Sequence, residues 1–120
     1  MAERETHSLI GSDKVDGTAV YGADQKKIGT VERVMIDKLT GKVAYAVISY
    51  GGFLGMGEDH YPTPWSNLKY DINLEGYLVN LTKDQLDKAP KYASENDWQW
   101  SRANDEKVHQ YYKSTPFWAG

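Results

Sequence analysis

The chain of 120 residues contains no cysteine. Disulfide frameworks, thiolate metal sites and cysteine nucleophiles are thereby excluded, and nothing in the composition reports a redox compartment. Long apolar runs are missing too: the longest, residues 43–48, is far too short to cross a bilayer. The opening residues Met1-Ala2-Glu3-Arg4-Glu5-Thr6-His7 are charged and carry no apolar stretch of the secretory-leader kind. Nor is there a basic excess, since the formal net charge is -3 and the signs are intermixed. Lys14, Lys26, Lys27, Arg33, Lys38 and Lys42 enrich the first half only modestly, so no stripe neutralises phosphates and nucleic acid is not expected as the main partner. The expectation is a soluble, cytoplasmic protein with no membrane insertion.

What is present reads as one domain, large enough to remove roughly two thirds of its unfolded surface from water. Residues 1–14 are polar and aperiodic, an N-terminal arm in which Leu9 and Ile10 can dock on the body. Strand-type runs follow at 18–21, 27–37 and 42–50, separated by Gly22-Ala23-Asp24-Gln25 and Leu39-Thr40-Gly41, which is the pattern of a β-meander. In the second run Ile28 and Val34 share one face of a regular strand while Val31 falls on the other, and a bulge near Glu32-Arg33 reconciles them. Residues 43–48 are apolar on both faces, so this strand should be covered on both sides and be the most buried segment. Pro62 and Pro64 cannot donate ladder hydrogen bonds, which makes 61–65 an edge strand. Runs at 68–72 and 77–81, joined by a turn at Glu75-Gly76, bring the total to about six strands.

Thr82-Lys83-Asp84-Gln85 fits a capping box, predicting a short helix over 83–88, anchored by Leu86 and stopped by Pro90. Three of the four tryptophans follow residue 97, and Trp100, Asn104, Val108, Tyr111 and Tyr112 lie along one helical stripe. The extension 93–120 is therefore expected to be helical and to pack on the sheet over the outer face of 43–48. Pairing with a second chain, giving a homodimer, is the alternative.

The succession Gly17-Thr18-Ala19-Val20-Tyr21, residues 27–37, Thr40-Gly41-Lys42-Val43-Ala44-Tyr45-Ala46-Val47, Gly51-Gly52-Phe53-Leu54-Gly55 and Pro64-Trp65 closely resembles the PRC-barrel family, in particular its small stand-alone bacterial members. The resemblance covers about residues 9–92 and implies a mainly β fold: a small, strongly bent antiparallel β-barrel over 15–92. Related barrels form the cytoplasmic part of the photosynthetic reaction centre H subunit, which helps conduct protons toward a quinone, and the C-terminal half of a ribosome maturation factor, which binds a ribosomal protein. Both are docking roles, although this chain carries neither the membrane helix of the first nor the N-terminal half of the second. Gly29, Gly41, Pro64 and Trp65 match the family pattern as structural positions.

The segment least explained by a core or an ordinary turn is Gly51, Gly52, Phe53, Leu54, Gly55, Met56 and Gly57, where glycines alternate with bare apolar residues. Its spacing is not that of a dinucleotide or phosphate loop. It reads either as a plug that closes the barrel end or as a docking loop for a protein partner, with Phe53 and Leu54 as anchors. Glu58, Asp59 and His60 form a polar rim beside it, the candidate lining of a small-ligand or proton-relay site. No nucleophile elbow, carboxylate pair or cofactor fingerprint frames Ser49, Ser66, Asp37, Asp71 or His60, so the expectation is a non-enzymatic interaction module without cofactor. His7, His60 and His109 are too dispersed to suggest a metal site. Zinc added to the protein should leave its thermal midpoint unmoved; a midpoint that climbs with zinc concentration would show that these ligands converge after all.

Overall fold

The sequence runs described above become strands because β-branched and aromatic residues fill positions that a pleated sheet can bury. A computed structural model describes residues 9–50 and 58–119. Among these, β1 (Ala19–Tyr21), β2 (Lys27–Ile36), β3 (Val43–Tyr50), β4 (Asp59–Pro64), β5 (Leu68–Asp71) and β6 (Gly76–Val79) form one sheet in the order β4-β3-β2-β1-β6-β5. The sheet curls into a half-barrel. Its pairings are antiparallel except one: β1 runs parallel to β6, through Val20↔Tyr77 and Tyr21↔Leu78. The sheet is thus mixed rather than wholly antiparallel, because the β5–β6 hairpin returns the chain beside its first strand in the same direction.

The parity change in β2 is resolved as the sequence suggests. Register slips between Val31 and Arg33 against β3, leaving Glu32 as the extra, unpaired residue. Strand β3 is the most buried element: Ala44 to Ile48 are all buried, and Ala46, Val47 and Ile48 are at 0% exposure, so both faces are covered there. Strand β4 stands at the edge, and Pro62 and Pro64 are tolerated there. In the β2–β3 turn the Asp37 carboxylate accepts from the Leu39 amide and the Thr40 hydroxyl, both at 3.1 Å, and Gly41 adopts φ 78°. Asp37 is therefore a turn former.

Residues 1–8 and 51–57 lie outside the described residues, and with them the candidate loop Gly51, Gly52, Phe53, Leu54, Gly55, Met56 and Gly57. At the start of the described chain, α1 (Ser12–Val15) buries Val15, Ile10 packs partly against the core and Leu9 is 75% exposed. The expected arm thus ends in a helical turn that bridges its predicted boundary.

Beyond the sheet, α2 (Lys83–Asp87) begins with the capping box: the Thr82 hydroxyl accepts from the Gln85 amide while the Gln85 side chain accepts from the Thr82 amide. Leu86 is wholly buried. α3 (Arg102–Tyr112) starts at Ser101, whose hydroxyl accepts from the Asn104 amide at 3.3 Å. Its buried stripe is Asp105, Val108, His109 and Tyr112. The predicted stripe had Asn104 and Tyr111 in place of Asp105 and His109. The helix is rotated from that expectation because Asp105 meets a buried tyrosine on β3, and Tyr111 instead reaches sideways to the Gln85 carbonyl at 2.5 Å.

Two glycines show different constraints. A Cβ on Gly29 would collide with the Ser49 backbone carbonyl oxygen and lie 3.2 Å from Ile48, so strand β3 could not keep its register. Around Gly41 there is open space, and only its positive φ resists a side chain. Gly29→Ala should cost about 2 kcal/mol or more in urea unfolding, against about 1 kcal/mol for Gly41→Ala; equal losses would contradict the close approach at Gly29.

Candidate functional site

The register of β3 on β4 places Tyr45, Val47 and Ser49 opposite Pro64, Pro62 and His60. Alternation puts these six on one face, polar at one end and aromatic at the other. The bulge in β2 brings the Glu32 carboxylate to the polar end. There Glu32 Oε1 lies 2.6 Å from His60 Nδ1 and accepts the Ser49 hydroxyl at 3.0 Å. A carboxylate only accepts, which makes Nδ1 the protonated ring nitrogen. The His60 ring stacks on Tyr92 at 5.2 Å, and the two backbones exchange hydrogen bonds of 2.9 and 3.0 Å, so residue 92 ties the chain after α2 to the β4 edge.

Serine, histidine and glutamate in contact invite comparison with a hydrolytic triad, but the connectivity differs. Both donors converge on one carboxylate oxygen, and the serine proton points at the acid rather than at an imidazole base. The arrangement is a polar clamp joining three strands.

The aromatic end is built by the C-terminal extension. From His60 and Tyr92 ring contacts continue to Trp98 at 5.6 Å, Trp100 at 6.1 Å, and then Tyr45 at 5.8 Å. Tyr45 also meets His109 at 5.5 Å and Phe117 at 5.6 Å. The end of the run is closed by Trp118, whose ring lies under the Arg102 guanidinium at 3.8 Å. At the centre the Tyr45 hydroxyl donates to Asp105 Oδ1 at 2.7 Å. Burial, and secondarily this bond to a carboxylate, hold the Tyr45 phenol far above its ordinary range, so it remains a neutral donor. His109 is 4% exposed; its Nδ1 lies 2.7 Å from the Ser114 hydroxyl, and its Nε2 is buried with no partner among the described residues. The outer face of β3 is thus covered by the extension, as the aromatic load suggested.

Of the polar rim, Glu58 is exposed, Asp59 pairs with Lys91 at 3.5 Å, and His60 joins Glu32. The three do not converge, and among the described residues no group of three histidine or carboxylate side chains is placed to hold a metal. Pro64 is fully buried, and the Trp65 ring meets Tyr77 at 5.4 Å. Asp71 accepts from the Leu74 amide, a turn role. Sequence reasoning missed Glu32, Tyr92, Asp105 and His109. For Glu32 a signal existed, because the parity break marked it as the residue a bulge would push out; for the other three the partner is set by tertiary packing alone.

The profile described as "PRC-barrel domain" matches residues 7–86. The chain belongs to the PRC-barrel family. Among curated proteins, this PRC-barrel chain is 29% identical over 93 residues to an uncharacterized protein of Deinococcus radiodurans, covering 77% of the chain and 33% of that protein. It is also 34% identical over 68 residues to a mouse Group IIE secretory phospholipase A2, covering 44% of the chain and 48% of that protein. The chain therefore spans about a third of the first relative and about half of the second. Among the described residues no helix is long and apolar enough to cross a membrane.

Burial holds the His109 imidazole below its ordinary value, with the Asp105 charge pulling the other way. On acidification the unfolded chain binds this proton first. The contribution is therefore present above the ordinary histidine value and is lost as pH falls below it. Unfolding free energy should drop between about pH 7 and pH 5 in the parent and drop less steeply in His109→Gln; parallel slopes would mean that His109 titrates as it does in the unfolded chain.

Proposed function

We propose that this PRC-barrel is a non-enzymatic interaction module that docks on a larger protein complex, with the 51–57 connection as its principal contact. The observation that carries this reading is where apolar side chains are left over. The aromatic extension is spent on covering β3, yet Leu39 is 96% exposed, Ile72 80% and Ile36 53%. β2 and β5 run in the same direction, with Ile36 closing β2, Leu39 in the turn after it and Ile72 just past β5. The 51–57 part of the β3–β4 connection, with Phe53, Leu54 and Met56 in its sequence, lies outside the described residues. Exposed Leu39 and Ile72, together with the apolar residues in the sequence of the 51–57 connection, support a protein partner.

The mouse relative's name brings no lipid hydrolysis with it. The likeness reaches 44% of the chain, and the one hydroxyl in the Glu32–His60 cluster, that of Ser49, is aimed at the carboxylate and not at an imidazole base. A second reading, a small-ligand or proton-relay barrel, draws support from that same 2.6 Å contact. Resonance shifts confined to Glu32, Ser49 and His60 on adding a quinone would favour it.

The test of the docking reading is capture of partners from soluble and membrane fractions by three folded proteins: the parent, Phe53→Ser/Leu54→Ser and Leu39→Ser/Ile72→Ser. The parent should retain a partner that the first variant loses at an unchanged melting temperature. A collapse in stability of that variant would make the loop a barrel plug, and recovery of the chain alone, with a dimer mass in light scattering, would make the protein a self-assembling subunit.

A further inference from the structure

An open groove runs between the segment that follows α2 and the outer face of α3. Lys88, Lys91 and Lys107 line it together with Trp98, Asn104 and Tyr111. No carboxylate is among its lining residues, in a chain whose formal net charge is -3. The geometry is fixed at one end by the Tyr111 hydroxyl on the Gln85 carbonyl, which locks α3 to α2. We propose that this groove binds an acidic segment of a protein partner; the inference rests on the interaction-module reading and names the chemistry of a second contact surface.

Three observations lead there. Lys91 is already engaged, with Asp59 at 3.5 Å and the Asp87 carbonyl at 3.1 Å, but Lys88 and Lys107 are exposed and make no ion pair among the described residues. Two cations on opposite walls are thus left to a ligand. The Trp98 indole Nε1 is buried without an acceptor among the described residues, and a buried donor left unpaired costs about 1–3 kcal/mol. A ligand seated in the groove packs beside this side chain, which lines it, so the indole resonance reports on occupancy. Finally, the Asn104 amide nitrogen is held by the Gln99 carbonyl at 2.8 Å, which leaves its oxygen to meet a donor such as a peptide N–H.

A peptide suits the surroundings better than a nucleic acid. Asp84, Asp87 and Glu106 are exposed on the helices that flank the groove, and a long polyanion crossing them would be repelled, whereas a few carboxylates confined between the lysines are not. Stacking of bases on Trp98 is limited as well, because that ring is already packed against Tyr92 and Trp100.

The test is titration of the full chain with a short Glu-rich peptide, the same peptide with Gln in place of Glu, and oligothymidylate, followed by two-dimensional NMR. The Glu peptide should shift the Trp98 indole resonance and the amides of residues 88–91 and 104–111, with affinity falling as salt is raised. Lys88→Glu/Lys107→Glu, checked for an unchanged melting temperature, should weaken it about tenfold or more, while the Phe53→Ser/Leu54→Ser variant should bind as the parent does. Absence of these shifts, equal binding of the Gln peptide, indifference to the lysine reversals, or tighter binding of oligothymidylate would each overturn the proposal. Because the peptide is read on the isolated chain and complex capture on the 51–57 variant, failure of the groove and failure of the docking loop give different results.

Discussion

A buried hydrogen bond lies at the centre of the contact between the barrel and its cover: Tyr45 on β3 donates to Asp105 on α3 across 60 residues of sequence, at 2.7 Å. Strand β3 is apolar on both sides, so the sheet needs something laid over its outer face. That cover cannot be purely apolar, because a phenol at its centre must find an acceptor, and the carboxylate that serves must in turn have a donor. Each group makes the burial of the other tolerable. The surrounding rings of Trp100, His109 and Phe117 gather about this contact, and Tyr112 extends the attachment by meeting Thr63 on β4 at 3.3 Å.

Helix α3 also protects an exposed ladder. Thr63 is paired with Ala46, whereas Tyr45 is paired with Pro64, so Tyr112 and Asp105 touch opposite faces of the sheet. A helix that reaches both faces must pass across the β4 edge. The two prolines of β4 and the bridge to residue 92 act in the same sense, leaving few free backbone groups for another strand to capture. The family match ends at residue 86, while Tyr92, Trp98, Trp100, Asp105 and Lys107 all follow it.

Much of this was legible in the sequence where a local rule decides the outcome. The capping box at Thr82, the turn at Asp37, the edge placement of Pro62 and Pro64 and the bulge at Glu32 each follow from residue chemistry within a few positions. The strand apolar on both faces was visible for the same reason. The parallel pairing of β1 with β6 was not, since Ala19–Tyr21 is only three residues long and either direction would bury Val20 equally well. Nor was the rotation of α3: Asn104 and Tyr111 are as plausible on a buried stripe as Asp105 and His109 until a tyrosine on a distant strand decides between them. The polar cluster was half legible, because His60 was singled out beside Asp59, yet strand alternation sends those neighbours to opposite faces and delivers Glu32 from another strand instead.

The parallel pair has a consequence for the order of synthesis. On a nascent chain β1 can find β2 as soon as both have left the ribosome, and β3 and β4 can add to that hairpin in turn. Its other flank, however, has no neighbour until β6 arrives, after the whole meander and the β5–β6 turn. Through that interval the sheet grows from one side only and presents an unsatisfied edge on the other, and the pairing that covers it spans the longest stretch of chain in the sheet.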